Sequence, residues 1–118
     1  MMTIEEAIVS ELAGIASAYP LIQPAGLTGL CVVYQLVGDP PTHLNRYVEP
    51  RVQLACWADS YAAAVGLETQ VWDLFEGRHV TVDGLHYRSM VIDRRDGQPD
   101  LDLGRFCRIV DVRFFYRK

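Results

Sequence analysis

No segment of this chain approaches the roughly 18 consecutive apolar residues that a membrane-crossing helix needs. Its longest aliphatic runs, such as Leu30 to Tyr34, are the length of a strand. Basic charge is also scarce: residues 1–40 hold no Lys or Arg, and the whole chain sets 11 basic against 15 acidic side chains for a net charge of -4. A global positive field able to hold nucleic acid without regard to sequence is therefore absent. The opening Met1-Met2-Thr3-Ile4-Glu5-Glu6 places two acids where a secretory signal carries Lys or Arg, and no apolar stretch of signal-peptide type follows. Cysteine is limited to Cys31, Cys56 and Cys107, odd in number, far apart and each set in an apolar run. That is how reduced thiols serve as small core hydrophobes, and it does not suit a disulfide framework. A protein made in the cytosol, with neither export nor a membrane partner, is the expectation.

The motifs of several chemistries are missing as well. His43, His79, His86 and the three cysteines form no C-x-x-C, H-x-x-x-H or H-E-x-x-H spacing, so a structural or catalytic zinc site is not signalled. Asp93, Asp96, Asp100 and Asp102 are close in sequence, but they lack the alternate early acids and closing Glu of a calcium loop and read as a solvated turn. No G-x-S-x-G elbow exposes a nucleophile, and the 9 glycines never assemble into G-x-G-x-x-G or a P-loop. The expectation is a protein that is not an enzyme, with no catalytic residue, no metal and no cofactor.

What is present is a globular composition. With 118 residues, 50% hydrophobic, and only 9 Gly and 6 Pro, the chain suits a single domain spanning 1–118. Thr3 with Glu6 makes a capping box, and Ile4, Ile8, Leu12, Ile15 and Tyr19 recur at helical spacing, predicting an amphipathic helix that Pro20 and Pro24 end. After a Pro- and Gly-rich connection to Gly29, Leu30 to Val37 reads as a strand buried on both faces. The stretch from Pro40 to Asn45 is a loop. From Tyr47 the chain is extended, Val52, Leu54 and Cys56 alternate with Arg51, Gln53 and Ala55, and Pro50 marks an edge or a bulge. Asp59 or Ser60 caps a second helix, with Tyr61, Ala64, Val65, Val71, Trp72 and Phe75 inward and Thr69, Gln70, Asp73 and Glu76 outward. Glu68 falls inside the apolar arc, at its margin or aimed at a partner subunit. Asp83-Gly84 joins two strands as a hairpin, with His79 and His86 paired across its base in solvent. The last strand, Arg105 to Arg117, sets Phe106, Val110, Val112, Phe114 and Tyr116 on one face and Arg105, Asp111, Arg113 and Arg117 on the other. The expected fold is α+β: an antiparallel or mixed sheet with both helices on one face, in the order α-β-β-α-β-β-β.

Charge is unevenly spread along the chain. Glu5, Glu6, Glu11 and Asp39 give residues 1–40 a charge of -4, whereas four Arg and Lys118 against Asp111 give residues 105–118 a charge of +4. Opposite surfaces of this kind can meet head to tail in a ring of identical subunits, or else be solvated or pair within one subunit. The candidate partner-contact residues are Glu5, Glu6, Glu68, Arg94, Arg95, Asp96, Arg105, Arg113 and Arg117.

The series Val32-Val33-Tyr34-Gln35, then Arg51-Val52-Gln53-Leu54-Ala55-Cys56-Trp57-Ala58, then Ser60-Tyr61-Ala62-Ala63-Ala64 through Leu74-Phe75-Glu76-Gly77, and the aromatic strand Val110 to Arg117 resembles the tail-completion proteins of long-tailed phages and prophages, also called tail terminator or tail-to-head joining proteins. The resemblance runs over nearly the whole chain. It implies a structural protein made in the host bacterial cytoplasm and located in the virion at the head–tail junction. Such a protein forms a ring, a hexamer in the assembled particle, that caps the tail tube and ends its polymerisation. The implied partners are further copies of the chain, the major tail tube protein and the head–tail connector, with no specific nucleic acid. A head-side neck or connector component is the alternative in the same setting, and a small-molecule-binding α+β domain the alternative outside it.

Overall fold

The computed structural model describes residues 2–22, 26–38 and 47–117. Thr3 caps the first helix, α1 (Ile4–Leu12), through the expected reciprocal box: its hydroxyl accepts from the Glu6 amide at 3.2 Å, and the Glu6 carboxylate accepts from the Thr3 amide at 3.2 Å. The helix is shorter than its sequence periodicity. Ile15 and Tyr19 keep the spacing, but Ala13 is the C-cap, and Ser17–Pro20 forms a strand, β1. Gly14 weakens the helix, and Pro20 pushes the residue before it out of the helical region. An edge strand is a position where proline is tolerated.

Strand β1 runs parallel to β2 (Cys31–Gly38), which pairs antiparallel with β4 (Arg51–Ala58). Between them in sequence, β3 (Tyr47–Val48) pairs with the start of the register on β7 (Phe106–Arg117) that β4 continues. Pro50 therefore interrupts the strand without shifting it: β4 lies at the centre of the sheet, and the Pro50 carbonyl still accepts from the Phe114 amide at 2.9 Å. After β4 comes α2 (Tyr61–Phe75), whose cap is Ser60, its hydroxyl accepting from the Ala63 amide. The hairpin of β5 (Arg78–Val82) and β6 (Leu85–Asp96) turns at Asp83-Gly84, both at positive φ, as that dipeptide predicts. The sheet order is β1-β2-β4-β7-β6-β5, with β3 beside β7.

The architecture is α+β with both helices on one face, and the chain order is α-β-β-β-β-α-β-β-β. The expected order lacks β1, for the reason given at Pro20, and reads β3 and β4 as one strand. Ile8, Leu12, Leu67, Val71 and Phe75 from the helices close on Val32, Val52, Leu54, Cys56, Val110, Val112 and Phe114 from the sheet. Strand β2 departs from the expectation of burial on both faces: Cys31 to Val33 are buried, whereas Gln35, Leu36 and Val37 are exposed, beyond the reach of either helix. Tyr61 is likewise exposed, and Leu67 takes the inward place on α2. The loop expected over Pro40 to Asn45, with Asp39 and His43, lies outside the described residues.

Strand β6 contains a bulge between Val91 and Asp93. Before it, Leu85, Tyr87 and Ser89 point at the core; after it, Arg94 stands opposite Val110 and Asp96 opposite Arg108, on the helix side. One extra residue thus turns the far end of β6 over.

Candidate partner surface

On the helix side, the bulge assembles a network that sequence periodicity does not reveal. Glu68, 1% exposed, lies against the Arg108 guanidinium and also receives Arg94 at 3.5 Å. Arg108 reaches Asp96 as well, and Asp96 accepts from the Tyr61 hydroxyl at 2.8 Å. The Arg108 hydrogen bond and then that of Tyr61 hold the Asp96 carboxyl below its ordinary value. Arg94 lies over the Trp72 ring, 4.9 Å from its centre. Glu68 is therefore aimed at its own sheet, and its partner Arg108 is the residue the alternating pattern leaves unassigned. A lone acid in the apolar arc of α2 and a lone base on the apolar face of β7 were the available signal.

Arg105, 2% exposed, is also committed inside the molecule. Its guanidinium donates to Asp59 at 2.7 Å and to the Gly29 carbonyl, and it reaches the Cys31 sulfur at 3.6 Å. Asp59 in turn accepts from the Gly29 amide at 2.9 Å, and the Arg105 hydrogen bond, followed by that amide, keeps its carboxyl low. The alternative helix cap thus becomes a clamp joining the connection before β2, the start of α2 and the start of β7. All three cysteines are buried thiols, and burial pushes Cys107 up to about 11. Such thiols are poor nucleophiles at neutral pH.

Of the other candidates, Glu6 serves the α1 cap, and Glu5 sits half-buried in the same turn. Glu11 is taken by Arg78 at 3.1 Å and by the Tyr87 hydroxyl at 3.3 Å. Arg95 is held by Asp111 at 2.5 Å, by Asp93 at 3.1 Å and by Gln53 at 3.1 Å. Arg113 and Arg117 lie on the face of β7 that turns away from the helices. The structure thus gathers Glu68, Arg94 and Asp96 into one network and leaves Arg113 and Arg117 on another surface.

That helix-free face has two ends of different chemistry. Towards β1 and β2, Cys31, Val33, Ala55 and Cys107 form a small second core with Tyr19, Leu27, Trp57 and Ile109. Beside it lies a slot of about 340 Å³ with Leu21 and Ile22 on one wall and Trp57 and Ile109 in its floor. Leu21 is 67% and Ile22 79% exposed, and Leu21 is held at φ 65° with the Ile22 amide donating to the Pro20 carbonyl at 2.7 Å. A γ-turn of this hand is a strained way to present two large apolar side chains. Across Trp57, the turn between Asp100 and Arg105, which pair with each other, exposes Leu101 at 77% and Leu103 at 65%. Towards β5, the face turns basic and surrounds a groove of about 1140 Å³. His79 and His86 stand at its rim with their Nε2 atoms 2.8 Å apart, and the Thr81 hydroxyl is 2.8 Å from His86 Nδ1, a diagonal pair across the hairpin. Among the described residues, no cluster of three or more His, Cys, Asp or Glu could hold a metal ion, and no helix is long and apolar enough to cross a membrane.

No protein-family model matches the chain, and no curated protein is similar to it in sequence. Among solved structures, it is similar in fold to a chain from the virion of a native gene transfer agent particle, with a TM-score of 0.58 and 17% identity over 94% of this chain and 84% of that chain. At that identity the likeness is one of fold.

Proposed function

We propose that this protein is a structural component of a phage or prophage virion and, within it, the tail-completion ring that caps the tube, ends its growth and joins tail to head. It does so as a non-enzymatic scaffold, together with other virion proteins. The supporting observation is the shared fold, over 94% of the chain, with a chain of a virion particle. The surface is suited to assembly: Leu21, Ile22, Leu101 and Leu103 are exposed around an apolar slot, an arrangement that marks a contact site more readily than a free surface. The polar clusters at Glu68 and Arg105 serve as struts within the chain.

Electron microscopy of particles made without the protein tests this proposal. Tailless heads beside overlong or unjoined tails are expected. Normal virions would reject any structural role, and particles with finished tails but defective necks, together with co-purification with portal rather than tube, would move the protein to the head side.

A further inference from the structure

At the basic end of the helix-free face, Arg51 stands directly opposite Arg113, with Met90 on the other side of Arg113. One step along the sheet Arg88 lies opposite Phe115, and Arg117 lies opposite Tyr47. Among the described residues, Arg51, Arg88, Arg113 and Arg117 have no ion pair or hydrogen-bond partner. Like charges directly across a sheet repel, so the Arg51 and Arg113 pair costs the isolated protein stability. Met90 is 42% exposed, and with Phe115, Arg88 and Arg117 it lines the groove of about 1140 Å³.

We propose that this groove, extended by Arg113 and Arg51 beside Met90, docks an acidic segment of another protein of the assembly, its carboxylates taken by the four arginines and an apolar side chain seated against Met90 and Phe115. The proposal rests on the scaffold role above and names the chemistry of one of its partners. Guanidinium groups match carboxylates through paired hydrogen bonds, and arginine with methionine and aromatic residues is the composition of an interface centre. Docking would also relieve the Arg51 and Arg113 repulsion. A second copy of this chain is a poorer occupant, because Glu6 is used by the helix cap and Glu11 by Arg78 and Tyr87. Nucleic acid is poorer too, because a duplex presents phosphates and sugar edges and no apolar side chain to seat against Met90 and Phe115.

The test uses the full-length protein with a fluorescent peptide of Glu and Asp around a central Leu, and with a duplex DNA of matched charge, read by anisotropy at low and raised salt. The peptide is expected to bind, to weaken with salt, and to lose about tenfold or more in affinity in the Arg88→Gln/Arg113→Gln double variant but not in Arg94→Gln, on the other face. Arg113→Gln alone is expected to raise the melting temperature, since it removes a repulsion; a merely structural arginine would lower it. Absence of peptide binding, tighter binding of the DNA, a lowered melting temperature, or self-association that sedimentation shows to vanish in the double variant would each overturn the proposal. If the protein is found in purified virions while the peptide does not bind, the groove assignment fails and the scaffold role stands. If the peptide binds and the protein is absent from virions, the scaffold role fails instead.

Discussion

Glu68 and Arg108 form a costly polar contact, because the carboxylate is removed from water almost completely and the guanidinium groups of Arg108 and Arg94 must offset its burial. Removing one partner of such a pair strands the other, at about 3–5 kcal/mol, whereas replacing both with apolar groups is close to neutral. Arg108→Ala, which leaves the Glu68 carboxylate buried, is therefore expected to lose about that much in urea unfolding, and Glu68→Leu/Arg108→Leu to recover most of it. Asp59 and Asp96 give a second expectation at this scale. Both carboxyls are held below the ordinary 3.8, by Arg105 and by Arg108 respectively, so each favours the folded state above the unfolded value. That contribution is lost as pH falls through the lowered folded values. Melting curves taken at stepwise lower pH below about 4 should fall less steeply for Asp96→Asn than for the parent.

Among the elements, α1 is the one whose stability rests most visibly on its cap, since it spans only Ile4–Leu12. Thr3→Ala removes the reciprocal Thr3 and Glu6 bonds and is expected to cost about 1 kcal/mol, visible as faster amide exchange in α1 than in α2. The capping box, the Ser60 cap and the Asp83-Gly84 turn were legible in the sequence because each is a local device in which a few neighbouring residues decide the backbone. Strand β1 was not, because Ile15 and Tyr19 continue a helical rhythm by coincidence and only pairing with β2 decides the outcome. The buried Glu68 was visible as an anomaly, but its partner was not, since Arg108 reaches it only through the packing of α2 on β7.

For the whole molecule, the division that matters is between the face the helices cover and the face they leave open. The fold class and the placement of both helices on one side followed from alternation in β4 and β7, which survives whatever the strand order turns out to be. The slot and the groove did not, because they join Leu21, Trp57 and Ile109, or Tyr47, Arg88 and Phe115, from distant parts of the chain. Leu101→Ser/Leu103→Ser changes only exposed side chains at a turn. It should shift unfolding by no more than about 0.5 kcal/mol while sharply reducing the amount of protein recovered in purified particles. The two faces are kept distinct by the irregularity at Val91 to Asp93, which sends Arg94 and Asp96 to one side and Asp93 and Arg95 to the other. The strand therefore runs in two alternations, one on each side of Ile92, and what sets the face of Asp96 is the bulge itself. Deleting Ile92 would let the strand pair without interruption and leave Asp93 opposite Asp111 and Asp96 opposite Arg108, whereas ironing out the bulge with Ile92 retained would carry Arg95 towards α2 and Asp96 into solvent.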